Sequence, residues 1–143
     1  DTFPKGASAE VIIDGKPVRI AGIAKGSGMI APDMATMLVY IFTDAEIAQP
    51  DLQVLLGKLT DSTFNCITVD SDTSTSDTLM CAATGASSVD VTDSAGFTQA
   101  LRGVMLDLAH QVVRDGEGAT KFVESRVSGA ASDAEARAQA RAF

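Results

Sequence analysis

The sequence predicts a single α/β unit, a layered sandwich of strands and helices. Apolar residues make up 45% of the 143 positions, which is enough to build a core. Short β-branched runs bounded by Gly, Pro and Asp predict strands. Between them lie segments with apolar residues three and four positions apart, which predict helices. No internal repeat or low-complexity linker divides the chain, so we predict one layered unit over residues 1–143.

A hairpin and a buried strand are predicted first. Val11–Ile13 and Val18–Ile20 flank the pair Asp14-Gly15. Such a pair favours a tight turn, because glycine adopts positive φ without a steric clash. After a loop, the apolar run Thr36–Phe42 has the length and composition of a strand that is buried on both faces.

A helix and a short strand are predicted next. Residues 43–46 have the spacing of a capping box, and Pro50 suits the first turn of a helix. The apolar face of that helix would consist of leucines at helical spacing. Cys66–Val69 then has the composition of a short strand.

The polar run that follows predicts the start of another helix. Ser74 and Asp77 are spaced to cap a helix over residues 79–83. Thr84-Gly85 would end this helix, since glycine is common at helix C-termini.

The last third of the chain predicts a long helix, a strand and a final short helix. Residues 94–114 carry apolar side chains at helical spacing, and the glycines in residues 115–118 end the pattern. Residues 120–127 alternate well enough to predict a strand. Ser132 is placed to start an alanine-rich helix.

The charge balance excludes several classes of partner. Lys and Arg number 11 against 19 Asp and Glu, a formal net charge of −8, which disfavours nucleic acid and anionic membrane surfaces.

No apolar run reaches the roughly 18 residues of a membrane span, and no signal peptide is visible. We therefore expect a soluble, cytoplasmic protein. The abrupt start without Met suggests an excerpt of a longer chain.

The cysteines and acidic residues do not predict a metal site. Cys66 and Cys81 lie in apolar stretches without CxxC spacing, and His110 has no second His nearby. We predict two reduced, buried thiols, although the pair could also form one disulfide. Residues 70–77 alternate acidic and hydroxyl side chains, but Thr75 stands where a calcium loop needs glycine and no Glu closes the loop.

Thr36 is the strongest candidate for chemistry. It follows the small residue Ala35 at the junction of a Gly- and Pro-rich loop with a predicted strand, so its hydroxyl could attack the preceding carbonyl. Water would hydrolyse the resulting ester and expose a new N-terminal α-amine. This amine, with a pKa of about 7.7–8.0, would be a base beside Oγ. The structural alternative is that Thr36 simply packs or caps, since threonine is a common strand residue.

Four segments resemble the ornithine acetyltransferase (glutamate N-acetyltransferase) family, in the same order and along almost the whole chain. The most specific segment reads like the family's self-cleavage site. The four segments are DTFPK over residues 1–5, KGSGMIAPDMATML over 25–38, FNCITVDSDTSTSDT over 64–78 and DGEGATK over 115–121.

The resemblance implies roles for four residues. Thr36 would be the nucleophile, exposed by cleavage of the Ala35–Thr36 bond, and Lys25 and Glu117 match positions that contact substrate. Charge suggests that Lys25 pairs with a carboxylate and Glu117 with an ammonium group. Without the resemblance, Lys25 would be read as a solvated loop charge. Glu117, between two glycines, would be either a turn residue or a residue at a place where the backbone approaches a ligand.

The resemblance also implies an activity and an assembly. The fold would be DmpA/ArgJ-like with Ntn-hydrolase-like chemistry, and the enzyme would pass acetyl from N-acetylornithine to glutamate in arginine biosynthesis, without a cofactor. Acetyl-CoA is a possible second donor. Residues 1–35 would end an α chain and residues 36–143 begin a β chain of a heterodimer within a larger oligomer.

Two alternatives remain open. A related self-processing aminopeptidase or amidase would use the same threonine chemistry but deliver the acyl group to water. The family's oxyanion-hole pair, Thr-Gly, belongs to the segment before Asp1, so this piece alone could also be an inactive fragment.

Overall fold

A mixed four-stranded sheet carries the long helix on one face. The computed structural model describes residues 1–28, 37–69 and 76–140, and it confirms the predicted α/β class. The strands are β1 (Lys5–Ile13), β2 (Lys16–Lys25), β3 (Leu38–Thr43) and β4 (Thr78–Ala83); the helices are α1 (Gln49–Asp61), α2 (Ala95–Arg114) and α3 (Asp133–Ala140).

The predicted hairpin is confirmed, and its strands are longer than the sequence pattern indicated. Ile13 pairs with Lys16 in antiparallel register across the turn. Asp14 and Gly15 between them have φ values of 50° and 77°, the left-handed geometry of a tight hairpin turn.

The sheet has the strand order β1-β2-β3-β4. β2 and β3 are antiparallel, with Lys25 opposite Leu38. β3 and β4 are parallel, and α1 lies in the crossover between them, as a parallel pair requires. The chain therefore leaves β2 and re-enters the sheet in β3 at neighbouring backbone positions.

α2 is the helix predicted over residues 94–114, and it packs on the sheet. The Ser94 side chain caps it by accepting a hydrogen bond from the Phe97 amide at 3.2 Å. The helix lies very close to β2 at Gly22, where an added Cβ would be 2.8 Å from Leu108 Cδ1. The largest fully buried apolar side chains lie on these elements and on the residues that join them: Phe97, Ile20, Ile41, Leu101, Met105, Leu108, Val18, Val39, Val91 and Val112.

Residues 79–83 are not the predicted helix but form part of β4. Each residue from Thr78 to Ala83 pairs in register with β3, so the parallel ladder supplies hydrogen bonds that a helix of one turn could not match. Thr84-Gly85 is likewise not a helix end, because the two amides donate to the carbonyls of Thr43 and Ala45 at 3.0 Å.

The prediction that the third strand is buried on both faces is wrong. Val39 and Ile41 belong to the core cluster that includes the buried residues of α2, and they are almost completely buried. The opposite face is left open by the described residues, and there the large apolar side chains of Ile23, Phe42 and Met80 are 58%, 52% and 56% exposed. β3 therefore alternates in burial, as a strand covered on one side does.

The predicted capping box does not begin a helix. Thr43 ends β3, and its hydroxyl donates to the carbonyl of Arg19 at 2.7 Å. α1 starts six residues later, with Ala48 at the N-cap position and no side-chain cap. Pro50 does occupy the first turn of this helix, as predicted.

Two further predicted strands are absent where the sequence placed them. After α1, Phe64–Cys66 forms a short 3₁₀ turn, and residues 67–69 have no regular structure. Residues 120–127 are irregular and largely exposed. In this segment Phe122 lies against α2, edge to face with His110 at 5.3 Å between ring centroids. α3 begins at Asp133, one residue after the predicted start.

Across the part of the chain that the structure describes, none of the helices is both long and apolar enough to pass through a bilayer.

We expect Gly22→Ala to lower the free energy of unfolding by about 1–3 kcal/mol, because the added methyl group would overpack the core. Leu108 is fully buried and Ile41 Cγ1 would be 3.3 Å from the new Cβ, so neither neighbour can move away freely. The measurement is denaturant unfolding of otherwise identical proteins.

The matched control is Gly103→Ala, at an exposed position of α2 where an added Cβ would meet nothing within 4 Å. It should raise the free energy of unfolding by about 0.5–1 kcal/mol through helix propensity. Equal stability of the two variants would contradict the close packing of α2 on β2.

Candidate active site

Two of the predicted site residues, Ala35 and Thr36, lie outside the described residues. The structure does describe the chain on both sides of them. Lys25 is the last residue of β2, is exposed, and lies opposite Leu38 in the β2–β3 register. The predicted substrate lysine therefore lies at the end of β2, opposite the residue two positions after Thr36.

Met37, the residue after Thr36, is held by Asp77. The Met37 amide donates to Asp77 Oδ1 at 2.9 Å, and the Met37 carbonyl accepts from the Thr78 amide at 2.9 Å. Asp77 was predicted to cap a helix, and this role is wrong. Its carboxylate instead fixes the backbone at the start of β3.

Glu117 lies beside the loop that begins with Lys25. Its amide donates a hydrogen bond to the carbonyl of Ser27. A Cβ on Gly28 would lie 3.3 Å from both Cβ and Oε2 of Glu117, so the glutamate side chain rests directly against that glycine. The structure thus brings Glu117, 92 positions further along the sequence than Lys25, to residues adjacent to it.

Gly116 allows the sharp turn between α2 and Glu117. A Cβ at this position would lie 2.8 Å from Val69 Cγ1 and 3.1 Å from the Val113 carbonyl oxygen. The backbone oxygen cannot move without distorting the end of α2. Only glycine fits here, and this fixes the path along which the chain leaves α2.

A buried ion pair that sequence reasoning missed is formed by Asp115, two residues before Glu117, and Lys5. Lys5 Nζ is 2.5 Å from Asp115 Oδ2, and the two side chains are 0% and 1% exposed. Lys5 Nζ is also 3.2 Å from Asp1 Oδ2 and 4.9 Å from the centre of the Phe3 ring. The sequence signal was weak: Lys5 ends one segment that resembles the family and Asp115 begins another, but nothing in the sequence pairs the two residues.

Thr2 completes the environment of Asp115. Its amide donates to both carboxylate oxygens, at 3.1 and 2.9 Å, and its hydroxyl donates to Oδ1. The Lys5 hydrogen bond, followed by that of the Thr2 hydroxyl, holds the pKa of Asp115 far below its ordinary value of 3.8. Asp115 is therefore an anion at neutral pH although it is buried.

The position of Asp115 makes this pairing necessary. Asp115 is the C-cap residue of α2, where the helix dipole disfavours a negative charge. A buried, unpaired carboxylate at that end would be strongly unfavourable. The Lys5 ammonium and the Thr2 donors offset both effects, so the N-terminal segment is tied to the end of α2.

The remaining candidate groups are possible metal ligands and the two thiols. No cluster of three or more His, Cys, Asp or Glu suited to a metal ion occurs within residues 1–28, 37–69 and 76–140. Both thiols are free, but Cys66 is exposed and not buried as predicted. Cys81 is partly buried in β4, and burial raises its pKa to about 11, so this thiol is a poor nucleophile at neutral pH.

Comparison with known proteins gives consistent matches. The model described as the ArgJ family matches residues 1–143. The chain is 73% identical over 137 residues to the arginine biosynthesis bifunctional protein ArgJ of Ruegeria pomeroyi, covering 96% of this chain and 34% of that protein. It is 59% identical over 147 residues to the protein of the same name from Caulobacter vibrioides, covering 99% and 36%.

The structural match agrees with the sequence matches. The crystal structure of the arginine biosynthesis bifunctional protein argJ from Bacillus halodurans is 45% identical and superposes with a TM-score of 0.68, over 71% of this chain and 50% of that chain. The expected ArgJ-like fold is thereby confirmed. The chain spans about a third of the length of the curated relatives it matches.

We expect the stabilising effect of Asp115 to disappear at acidic pH. Its pKa is lower in the folded than in the unfolded chain, so its contribution is complete above pH 3.8 and is lost as pH falls from there towards the folded-state pKa. The difference between the free energies of unfolding of the unchanged protein and of Asp115→Asn should therefore stay constant from neutral pH down to about pH 3.8 and narrow at lower pH. A difference that does not narrow below pH 3.8 would contradict the assignment.

Proposed function

We infer the function from a premise that the matches establish: this chain belongs to the ArgJ family. We propose that it is the central segment of an enzyme that transfers an acetyl group from N2-acetylornithine to glutamate through an acetyl ester of Thr36. The observation that carries this proposal is the loop sequence over residues 25–38, which reads like the family's self-cleavage segment.

The first step of the proposal is self-cleavage. Thr36 Oγ attacks the Ala35 carbonyl carbon, the Ala35–Thr36 amide becomes an ester, and water hydrolyses that ester. The products are an Ala35 carboxylate and a free α-amine on Thr36. Residues 1–35 would then end one chain and residues 36–143 would begin the next. The Asp77 contact with Met37 supports this step, since it anchors the backbone beside the nucleophile.

The second step is transfer. The Thr36 amine accepts the proton from Oγ as Oγ attacks the acetyl carbon of N2-acetylornithine. The C–N bond breaks, the proton passes to the departing nitrogen, and ornithine leaves. The amine of glutamate then attacks the acetyl ester, and N-acetylglutamate forms while Oγ regains a proton. No cofactor is needed.

Lys25 and Glu117 are proposed to bind the amino-acid parts of both substrates. Both side chains are exposed, and Glu117 rests against Gly28, in the loop that Lys25 begins. A cation and an anion at one end of the sheet suit the carboxylate and ammonium groups of ornithine and glutamate.

The rest of the proposal concerns the whole protein. Oxyanion donors would come from the segment before Asp1, and the two cleaved chains would form a heterodimer within a larger cytoplasmic oligomer. The relatives are named bifunctional, which supports a second activity with acetyl-CoA as the candidate donor.

We expect Thr36→Ala to abolish both cleavage and transfer, because the nucleophilic oxygen is lost. Thr36→Ser should retain part of each activity, because a hydroxyl remains. Intact-mass spectrometry of the full-length protein with N2-acetylornithine should show one added acetyl group on the chain that begins at Thr36.

The same experiment separates the competing functions. Glutamate should discharge the acetyl group to N-acetylglutamate faster than water does; discharge to acetate alone would instead indicate an aminopeptidase or amidase. Absence of any adduct on a Thr36-initiated chain would exclude the proposed mechanism. If the full-length protein is cleaved and active but residues 1–143 alone stay uncut and inert, this segment by itself is an inactive fragment.

We expect Lys25→Ala and Glu117→Gln to raise the KM for N2-acetylornithine by roughly ten- to a hundredfold each, since each removes one charge-assisted contact worth about 1.5–3 kcal/mol. Steady-state kinetics of the full-length enzyme provide the measurement, and Lys16→Ala, an exposed lysine at the distant end of β2, is the control. A KM equal to that of the control would show that the substituted residue is an ordinary surface charge.

A further inference from the structure

We propose that Asp115, paired with Lys5, is a positioning residue for substrate binding: it fixes Glu117 relative to the loop that begins at Lys25. This inference rests on the proposed function, since it assumes that Lys25 and Glu117 bind the substrate. Asp115 is assigned no contact with the reacting atoms. Its proposed effect passes through the backbone.

A closed circuit of contacts supports the proposal. On one side, the Gly26 amide donates to Asp1 Oδ2 at 3.0 Å, and the same oxygen is 3.2 Å from Lys5 Nζ. On the other side, Lys5 binds Asp115, two residues before Glu117. The circuit closes where the Glu117 amide donates to the Ser27 carbonyl.

The two ends of this circuit lie next to the proposed substrate residues. Gly26 and Ser27 directly follow Lys25, and Gly116, with no room for a side chain, is the single residue between Asp115 and Glu117. A displacement of Asp115 is therefore transmitted to Glu117 over one rigid peptide turn.

Burial makes the circuit stiff enough to position a side chain. The Lys5 and Asp115 side chains are essentially inaccessible to water, so their attraction is poorly screened. Asp115 also receives three hydrogen bonds from Thr2. Glu117 itself is exposed, so among the described residues its backbone and Gly28 chiefly determine where its carboxylate lies.

The test is a double-mutant cycle on the full-length enzyme, with Asp115→Asn, Glu117→Gln and their combination. Asp115→Asn keeps the side-chain shape but removes the charge, while Lys5 keeps Asp1 as a partner. After mass spectrometry has shown that the chain is cleaved, we expect the KM for N2-acetylornithine to rise about tenfold and kcat to change less than threefold.

The coupling between the two sites is the decisive measurement. If Asp115 acts through Glu117, adding Asp115→Asn to Glu117→Gln should raise KM much less than tenfold further. Independent, multiplicative effects on KM, or an unchanged KM with only a lower melting temperature, would reduce Asp115 to a structural residue and overturn the proposal. Asp51→Asn, an exposed aspartate in the first turn of α1, is the matched control.

Hydrogen exchange separates failure of this inference from failure of the proposed function. Asp115→Asn should weaken protection of the Gly26 and Glu117 amides, and Asp51→Asn should not. Unchanged protection would overturn the inference even in an active enzyme. If the unsubstituted enzyme transfers no acetyl group, the proposed function fails, and the exchange result alone decides whether the circuit exists.

Should Asp115→Asn not fold, Asp115→Glu, which retains the charge on a longer side chain, replaces it in both measurements.

Discussion

Close packing of α2 on β1 and β2 is the constraint on which the rest of the structure depends. The absence of a side chain at Gly22 lets Leu108 approach the sheet, and the fully buried residues of the core gather around this contact. The same packing decides where the helix ends, and hence where Asp115 and Glu117 lie. The positions of these two site residues are therefore set by packing in the core, which itself does not contact the substrate.

The elements that the sequence predicted correctly are those with local signals. The hairpin follows from Asp14-Gly15 between two β-branched runs, and α2 from five turns of helical spacing after a capping serine. The local sequence of β4 predicts a helix, because its strand character comes only from pairing with β3, forty positions earlier in the sequence. Residues 120–127 show the converse: the segment alternates, but Phe122 lies against α2 and the segment pairs with neither edge of the sheet, and alternation without a paired strand does not make a stable strand.

The site roles of Lys25, Thr36 and Glu117 were predicted from the family resemblance. The chemistry of each residue alone was equally compatible with a structural or solvent-exposed role. The structure adds the proximity of Glu117 to the loop after Lys25. The supporting contacts were out of reach of sequence reasoning because their partners are far apart: Lys5 and Asp115 are separated by 110 positions, and Met37 and Asp77 by 40. A lysine in a short segment near an apolar strand gives no sign that it will be buried.

The antiparallel register of β2 and β3 has a consequence for the proposed cut. Lys25 and Leu38 are opposite each other, and five further residue pairs continue the ladder to Ile20 and Thr43. A break between these strands would leave both pieces hydrogen-bonded to each other, with α2 of the downstream piece covering β1 and β2 of the upstream piece. The two polypeptides would share one hydrophobic interior, so neither could exchange with a free copy unless that interior first opened to water.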